Sequence, residues 1–145
     1  MENRQMSNNE NWLKIYQDSA PGGQYIVTSF LQDTEGVKIV LDDERYVVEV
    51  IFDGVPLLIR SSPEGLRMRT WGEVQLRYQD KFFFRNWFFY KVESSELLEW
   101  AMEESCGFYS EVRLTHYCIV TSEEVIDILA SFEPLIKQYP YNEKS

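Results

Sequence analysis

The stretch that most constrains this chain runs from Lys81 to Ser105, KFFFRNWFFYKVESSELLEWAMEES. Six aromatic residues lie between Phe82 and Phe89, and Tyr90 adds one more. So many large apolar side chains in one short segment need cover, because each one buries a large area when it leaves water. The segment passes without a linker into an acidic, amphipathic stretch. Ser94 or Ser95 stands where a helix cap is needed, and Glu96 and Glu99 fall in the first turns, where the helix dipole favours carboxylates. Leu97, Leu98, Ala101 and Met102 form the apolar stripe, Trp100 sits at its edge, and Gly107 ends the helix. A strand that supplies core and a helix that supplies charge are thus expected next to one another.

If the aromatic strand is regular, Phe82, Phe84, Phe88, Tyr90 and Val92 share one face. Lys81, Phe83, Arg85, Trp87, Phe89 and Lys91 share the other. Asn86 interrupts the pattern, either as a bulge or, with Arg85, as a tight turn. Most of these rings are expected in the core.

Upstream, Trp12, Ile15 and Tyr16 have helical spacing and predict a short helix over 8–18, stopped at Pro21-Gly22-Gly23. Tyr25 to Leu31 reads as a strand. Alternation in Val37–Leu41 and Tyr46–Phe52 predicts a hairpin with Asp42, Asp43 and Glu44 at its tip. Asp53-Gly54 turns into a short strand at Leu57–Arg60, and Ser61–Gly65 reads as a loop. Leu66–Trp71 and Val74–Tyr78 alternate and are expected to be strands.

Downstream, Arg113–Val120 reads as a strand with Leu114, His116, Cys118 and Val120 on one face. Thr121 and Glu124 have capping-box spacing for a last helix carrying Val125, Ile126, Leu129 and Phe132, ended by Pro134. Together these elements predict an α+β fold: one twisted antiparallel sheet of about seven strands with helices packed on it. A chain of 145 residues suits one domain over 1–145, with 1–7 and 137–145 expected to fray.

The formal net charge is −10. Phosphate backbones repel such a surface, so direct nucleic-acid binding is not expected, whereas a basic protein is attracted and steered. No apolar run approaches the ~20 residues that span a bilayer, and the polar N-terminus does not read as a secretory signal. A cytoplasmic protein is therefore expected. Its cysteines, Cys106 and Cys118, are then free thiols.

No catalytic motif is legible, and no cofactor is expected. His116 and Cys118 point the same way on a strand, and Cys106 is near in sequence. Structural zinc sites want four ligands with paired spacing, so no metal is expected there. A Cys–His nucleophile pair lacks a visible orienting group. Asp42, Asp43 and Glu44 lack the spread of oxygen ligands that a calcium loop needs. Arg60, Arg67, Arg69 and Arg77 are expected to pair across strands with the abundant carboxylates.

The segments WFFYKVESSELLEW (Trp87–Trp100) and LTHYCIVTSEEVIDILASFEP (Leu114–Pro134) resemble the small acidic immunity proteins, or antitoxins, paired with LXG-type polymorphic toxins of Bacillus-like bacteria. The resemblance covers roughly residues 80 to 135. It implies a protein that is not an enzyme and that binds and neutralises a cognate toxin domain, commonly a nuclease and therefore basic. The alternatives are a sheet protein holding a small apolar ligand in an internal pocket and, third, a metal-dependent hydrolase. For the first reading, the expected partner-binding residues are Glu99, Glu103 and Glu104 of the acidic helix, joined by Asp42, Asp43 and Glu44. Glu103 and Glu104 lie at the helix end where carboxylates are disfavoured, which hints at a use outside the fold.

Overall fold

Nine strands and two α-helices make up the described residues, 9–143, of the computed structural model. In chain order they are β1 (Asn11–Lys14), β2 (Ile26–Asp33), β3 (Gly36–Asp42), β4 (Tyr46–Asp53), β5 (Leu58–Pro63), α1 (Met68–Arg77), β6 (Phe89–Glu93), α2 (Glu96–Glu104), β7 (Thr115–Val120), β8 (Glu124–Ala130) and β9 (Leu135–Pro140). Short 3-10 turns occupy Glu64–Arg67 and Tyr141–Glu143. The strands form a five-stranded sheet, β1-β6-β7-β8-β5, and a four-stranded sheet, β2-β3-β4-β9. Every pairing is antiparallel.

The α+β class stands, and the single sheet of about seven strands is corrected to two sheets. The reason lies in strands that are apolar on both faces. In β7, Tyr117 and Ile119 face one way while His116, Cys118 and Val120 face the other, and all are buried. Tyr117 meets Phe52 of β4 edge-on at 5.5 Å, so this face of the five-stranded sheet packs on the four-stranded one. The opposite face carries the helices: Leu97 and Ala101 of α2 pack with Leu129 of β8. Sandwiching the central strands satisfies both faces at once.

The expected helix over 8–18 is instead β1 where it is described, and Asn8 lies outside the described residues. Trp12 pairs with Val92 and turns its ring into a cluster with Trp71, Phe84 and Tyr90. The apparent helical spacing arises because the strand ends at Lys14 and Tyr16 bends the chain at φ 57°.

The expected strands Leu66–Trp71 and Val74–Tyr78 are a 3-10 turn and α1. Trp71, Val74 and Tyr78 are spaced for one helix face, and the first two are buried. Gly72 suggests a break to the eye, but it lies within α1, where an added Cβ would meet nothing. Ser61–Pro63, expected as loop, continues β5 against β8.

The aromatic stretch is strand only from Phe89. Before it, Asp80 accepts the Phe82 N–H at 2.9 Å and Phe82 accepts the Arg85 N–H at 2.9 Å, so the chain coils in tight turns. That coil stacks Phe83 on Tyr78 at 4.6 Å and sets Phe84 against Trp71 at 4.7 Å.

The expected last helix is β8. Thr121 Oγ1 accepts the N–H groups of Glu123 and Glu124 and donates to the Glu124 carbonyl, closing a hairpin between β7 and β8. The residues of the capping box are thus used for a turn. Of the tail expected to fray over 137–145, 137–140 belong to β9 and pair with β4, Lys137 with Glu49 and Gln138 with Val48, and 144–145 lie outside the described residues. The fraying expected for 1–7 falls outside the described residues. The β3–β4 hairpin, the Ser95 cap and the stop at Gly107 occur as expected, with Gly107 at φ 76°. Leu97 and Ala101 are the buried residues of α2, and Leu98 and Met102 are half-buried.

Phe52, 1% exposed between the sheets, also meets Phe132 at 6.2 Å. Phe52→Ala is expected to cost about 3–5 kcal/mol, as emptying a packed aromatic site does. Chemical denaturation reads this, and a loss below about 1 kcal/mol would mean that the sheets do not meet there.

Candidate functional site

On the helix-facing side of the five-stranded sheet, β8 carries an aspartate with no exposed surface. Asp127 lies beside Cys118 of β7 and Arg60 of β5 in register, so all three strands deliver side chains to one place. A lone carboxylate there would be costly to bury. It is surrounded instead. His116 Nε2 is 2.7 Å from Asp127 Oδ1. Arg60 Nε and Nη2 reach Oδ2 at 3.0 and 2.9 Å, and Arg67 Nη1 reaches it at 2.7 Å. On the other side of the imidazole, Nδ1 is 2.7 Å from Ser95 Oγ.

Burial alone would raise the Asp127 carboxyl. The His116 hydrogen bond and charge, then the Arg67 and Arg60 guanidiniums, outweigh it and hold the group well below the usual carboxylate range. Cys118 is pushed the other way. Its burial, and the nearby Asp127 charge, raise the thiol well above its ordinary value.

Ser95, His116 and Asp127 stand in the order of a hydrolytic triad. Their surroundings favour a brace. Ser95 Oγ already accepts the Leu98 N–H at 3.0 Å as the α2 cap, and the His116 side chain is 1% exposed, which leaves no approach for a reacting carbonyl.

His116, Cys118 and Asp127 also place three potential ligand atoms within 4.8 Å of one another. The set does not suit a cation. Two guanidiniums already hold the carboxylate, both imidazole nitrogens are engaged, and the thiol is kept protonated. Cys106, near in sequence, is exposed and outside the group.

Above Arg60 and Arg67 opens a cleft of about 670 Å³ between the start of α1, β5 and α2. Leu58, Leu66, Leu97 and Trp100 supply its apolar wall. Arg69 stands at the rim, 3.5 Å from Glu96 and 3.8 Å from Glu73. The expected pairing across strands holds for Arg60, which meets Asp127 of β8; Arg67 and Arg69 also pair with carboxylates, but from the 3-10 turn and α1 rather than from strands.

The residues expected to bind a partner fall in two places. Glu99, Glu103 and Glu104 are exposed along α2, next to Trp100, which is 50% exposed. Phe108, in the turns after α2, is 79% exposed. The hairpin tip belongs to the other sheet and is largely engaged in its own turn. Asp42 is buried and accepts the Glu44 N–H at 3.2 Å. Asp43 accepts the Arg45 and Tyr46 N–H groups and an ion pair from Arg45 at 2.6 Å. Burial would raise Asp43, but these hydrogen bonds and the Arg45 charge lower it. Glu44 is left as the exposed acid of the three.

Sequence reasoning missed Asp127 because it placed the residue in a helix. Had β8 been read as a strand, Asp127 would have appeared as a charge inside an apolar run, VIDILA, which is a signal in its own right. No helix among the described residues is long and apolar enough to cross a membrane. Comparison of the chain with family models, with curated proteins and with solved structures gave no match.

The Asp127 carboxyl is held lower in the folded chain than the value of about 3.9 it has unfolded. Its contribution to stability is therefore complete above that value and is lost as pH falls through the folded value. Asp127→Ala is expected to cost about 3–5 kcal/mol at neutral pH, since it leaves buried partners unmatched. The gap between the melting curves of parent and variant should narrow from about pH 5 downward. A gap that is constant with pH would show that the carboxylate charge is not what holds the network.

Proposed function

We propose that the chain is an immunity protein, an antitoxin that binds one cognate toxin domain and blocks it, with a basic nuclease as the expected toxin. The observation that carries this reading is the outer face of α2. Glu99, Glu103 and Glu104 stand exposed there without a neighbouring cation in sequence from Val92 to Val112, and Trp100 and Phe108 flank them uncovered. Acid around an exposed aromatic anchor suits a basic protein surface: the charges speed encounter and the ring supplies contact area. The helix is a rigid mount. Ser95 and the Glu10 carboxylate cap its start, the latter accepting the Glu96 N–H at 2.9 Å, and Leu97 and Ala101 hold its inner face. The net charge of −10 supports the same reading at long range. The hairpin tip adds Glu44 to this proposal, because Asp42 and Asp43 are engaged in the turn.

Co-expression with the toxin domain encoded beside it should rescue growth, and the two chains should co-purify. Changing Glu99, Glu103 and Glu104 together to Lys should leave the melting temperature unchanged or higher, because like charges at i, i+4 and acids at a helix C-terminus are mildly unfavourable. Association should slow by about tenfold or more at low salt, and its salt dependence should flatten. Equal on-rates for parent and triple variant would remove α2 from the interface, and death of the co-expressing cells would remove the function.

A further inference from the structure

The cleft beside α2 carries chemistry that an acidic partner-binding helix does not need. Its floor is built around two arginines in a protein with ten more acids than bases. Arg60 directs Nε and Nη2 to Asp127 Oδ2, which leaves Nη1 without a partner among the described residues, on a side chain that is 45% exposed. The guanidinium is not free to swing away. Asp127 is itself clamped by His116 and Arg67, and His116 by Ser95. A buried ion pair is weak support for stability, since desolvation cancels much of its attraction. What this one does achieve is a guanidinium fixed in place, with donors directed outward and little entropy left to lose on binding.

The walls point to the rest of the ligand. Leu66, on the α1 side, is 74% exposed, and Trp100, on the α2 side, is 50% exposed, with Leu58 and Leu97 between. Apolar side chains left uncovered around a concavity of about 670 Å³ match the build of a small-molecule site, in which apolar lining gives area and a few polar groups give orientation. Glu96 and Glu10 also line the cleft and repel an anion in proportion to its charge, so a single carboxylate against Arg60 meets less repulsion there than a multiply charged anion.

We propose that this cleft binds a small organic monocarboxylate with a flat apolar body, its carboxylate on the outward donors of Arg60 and its body between Leu66 and Trp100. The site shares Trp100 with the outer face of α2 but none of Glu99, Glu103 and Glu104, and it does not rest on the antitoxin reading.

The test uses the full chain and a matched pair of probes, indole-3-acetate and its neutral amide, indole-3-acetamide. Titrations are followed by NMR at the Arg60 Nε–H and the Trp100 indole N–H. The acid should shift both signals and bind about tenfold or more tighter than the amide, the discrimination expected of a charge-assisted contact. Arg60→Gln should abolish the preference for the acid. Should that variant fail to fold, Leu66→Glu, at an exposed position, places a carboxylate in the wall and should abolish binding of the acid. Equal affinity for acid and amide, no shift at about 10 mM probe, or unchanged binding in Leu66→Glu would overturn the proposal. None of these outcomes touches Glu99, Glu103 or Glu104, so the antitoxin reading survives or fails on its own test.

Discussion

A carboxylate without exposed surface sits on β8, between β7 and β5 of the five-stranded sheet, and the outer layer of the protein is arranged around it. Asp127 alone would be among the least favourable residues to bury. Its neutralisation draws one side chain from each of several elements: Arg60 from β5, His116 from β7, Arg67 from the 3-10 turn before α1, and Ser95, through His116, from the start of α2. Three separate stretches of the chain, around 60–67, 95 and 116–127, meet at one carboxylate. Satisfying one charge therefore fixes the entry of both helices onto the sheet. A purely apolar patch would hold the helices with similar energy and less definition, because apolar contact is non-directional while hydrogen bonds are not.

The aromatic cluster performs the corresponding work on the other half of the same face. Trp12 of β1 meets Trp71 of α1, Phe84 of the coiled turn and Tyr90 of β6 at 6.1, 5.3 and 5.8 Å, all edge-on. Edge-to-face packing lets several rings share one space without the repulsion of a flat stack. Their polar atoms are met as well: Trp12 donates its indole N–H to Glu10 Oε1 at 3.2 Å, Trp71 donates to the Glu64 carbonyl at 3.0 Å, and Tyr90 donates its hydroxyl to the Trp87 carbonyl at 3.0 Å. So α1 is held by rings at one end and by the charge network at the other, where Arg67 both reaches Asp127 and lies over the Trp71 ring.

What the sequence made legible followed from the strength of its local periodicity. The β3–β4 hairpin alternates over a long span between clear turn residues, and α2 has a cap, an apolar stripe and a glycine stop, so both were readable. The β8 segment was not, because Thr121 and Glu124 make an N-terminal signature that serves a helix or a hairpin equally, and Val125–Leu129 is apolar at every position but Asp127. Only pairing with β7 decides between them, and that is tertiary information. Likewise α1 has no side-chain cap and carries Gly72, so its local signals are weak, and packing of Trp71 and Val74 makes the helix. The acidic half of the candidate surface was visible as composition on a predicted helix. The buried network was not, since it needs three strands in register. The burial of Asp42 was hidden for a related reason: a hairpin tip reads as solvated until Asp42 is seen to end β3 between Ile26 of β2 and Val47 of β4.

The two ends of α2 explain how a protein can present unfavourable charge without losing the helix. Its N-terminal turn is over-determined. Ser95 caps it, the Glu10 carboxylate accepts another of its free N–H groups, Glu96 and Glu99 suit the dipole, and Leu97 is buried against Leu129. The C-terminal turn carries Glu103 and Glu104 with no basic residue among its last positions. Each such acid costs a few tenths of a kcal/mol, whereas a cap contributes about 1 kcal/mol and a buried leucine about 2 kcal/mol. The first turn therefore outweighs the last by several-fold, and the acids can persist on grounds other than stability. That ordering of magnitudes is what allows a carboxylate-bearing face to sit on a fixed helix.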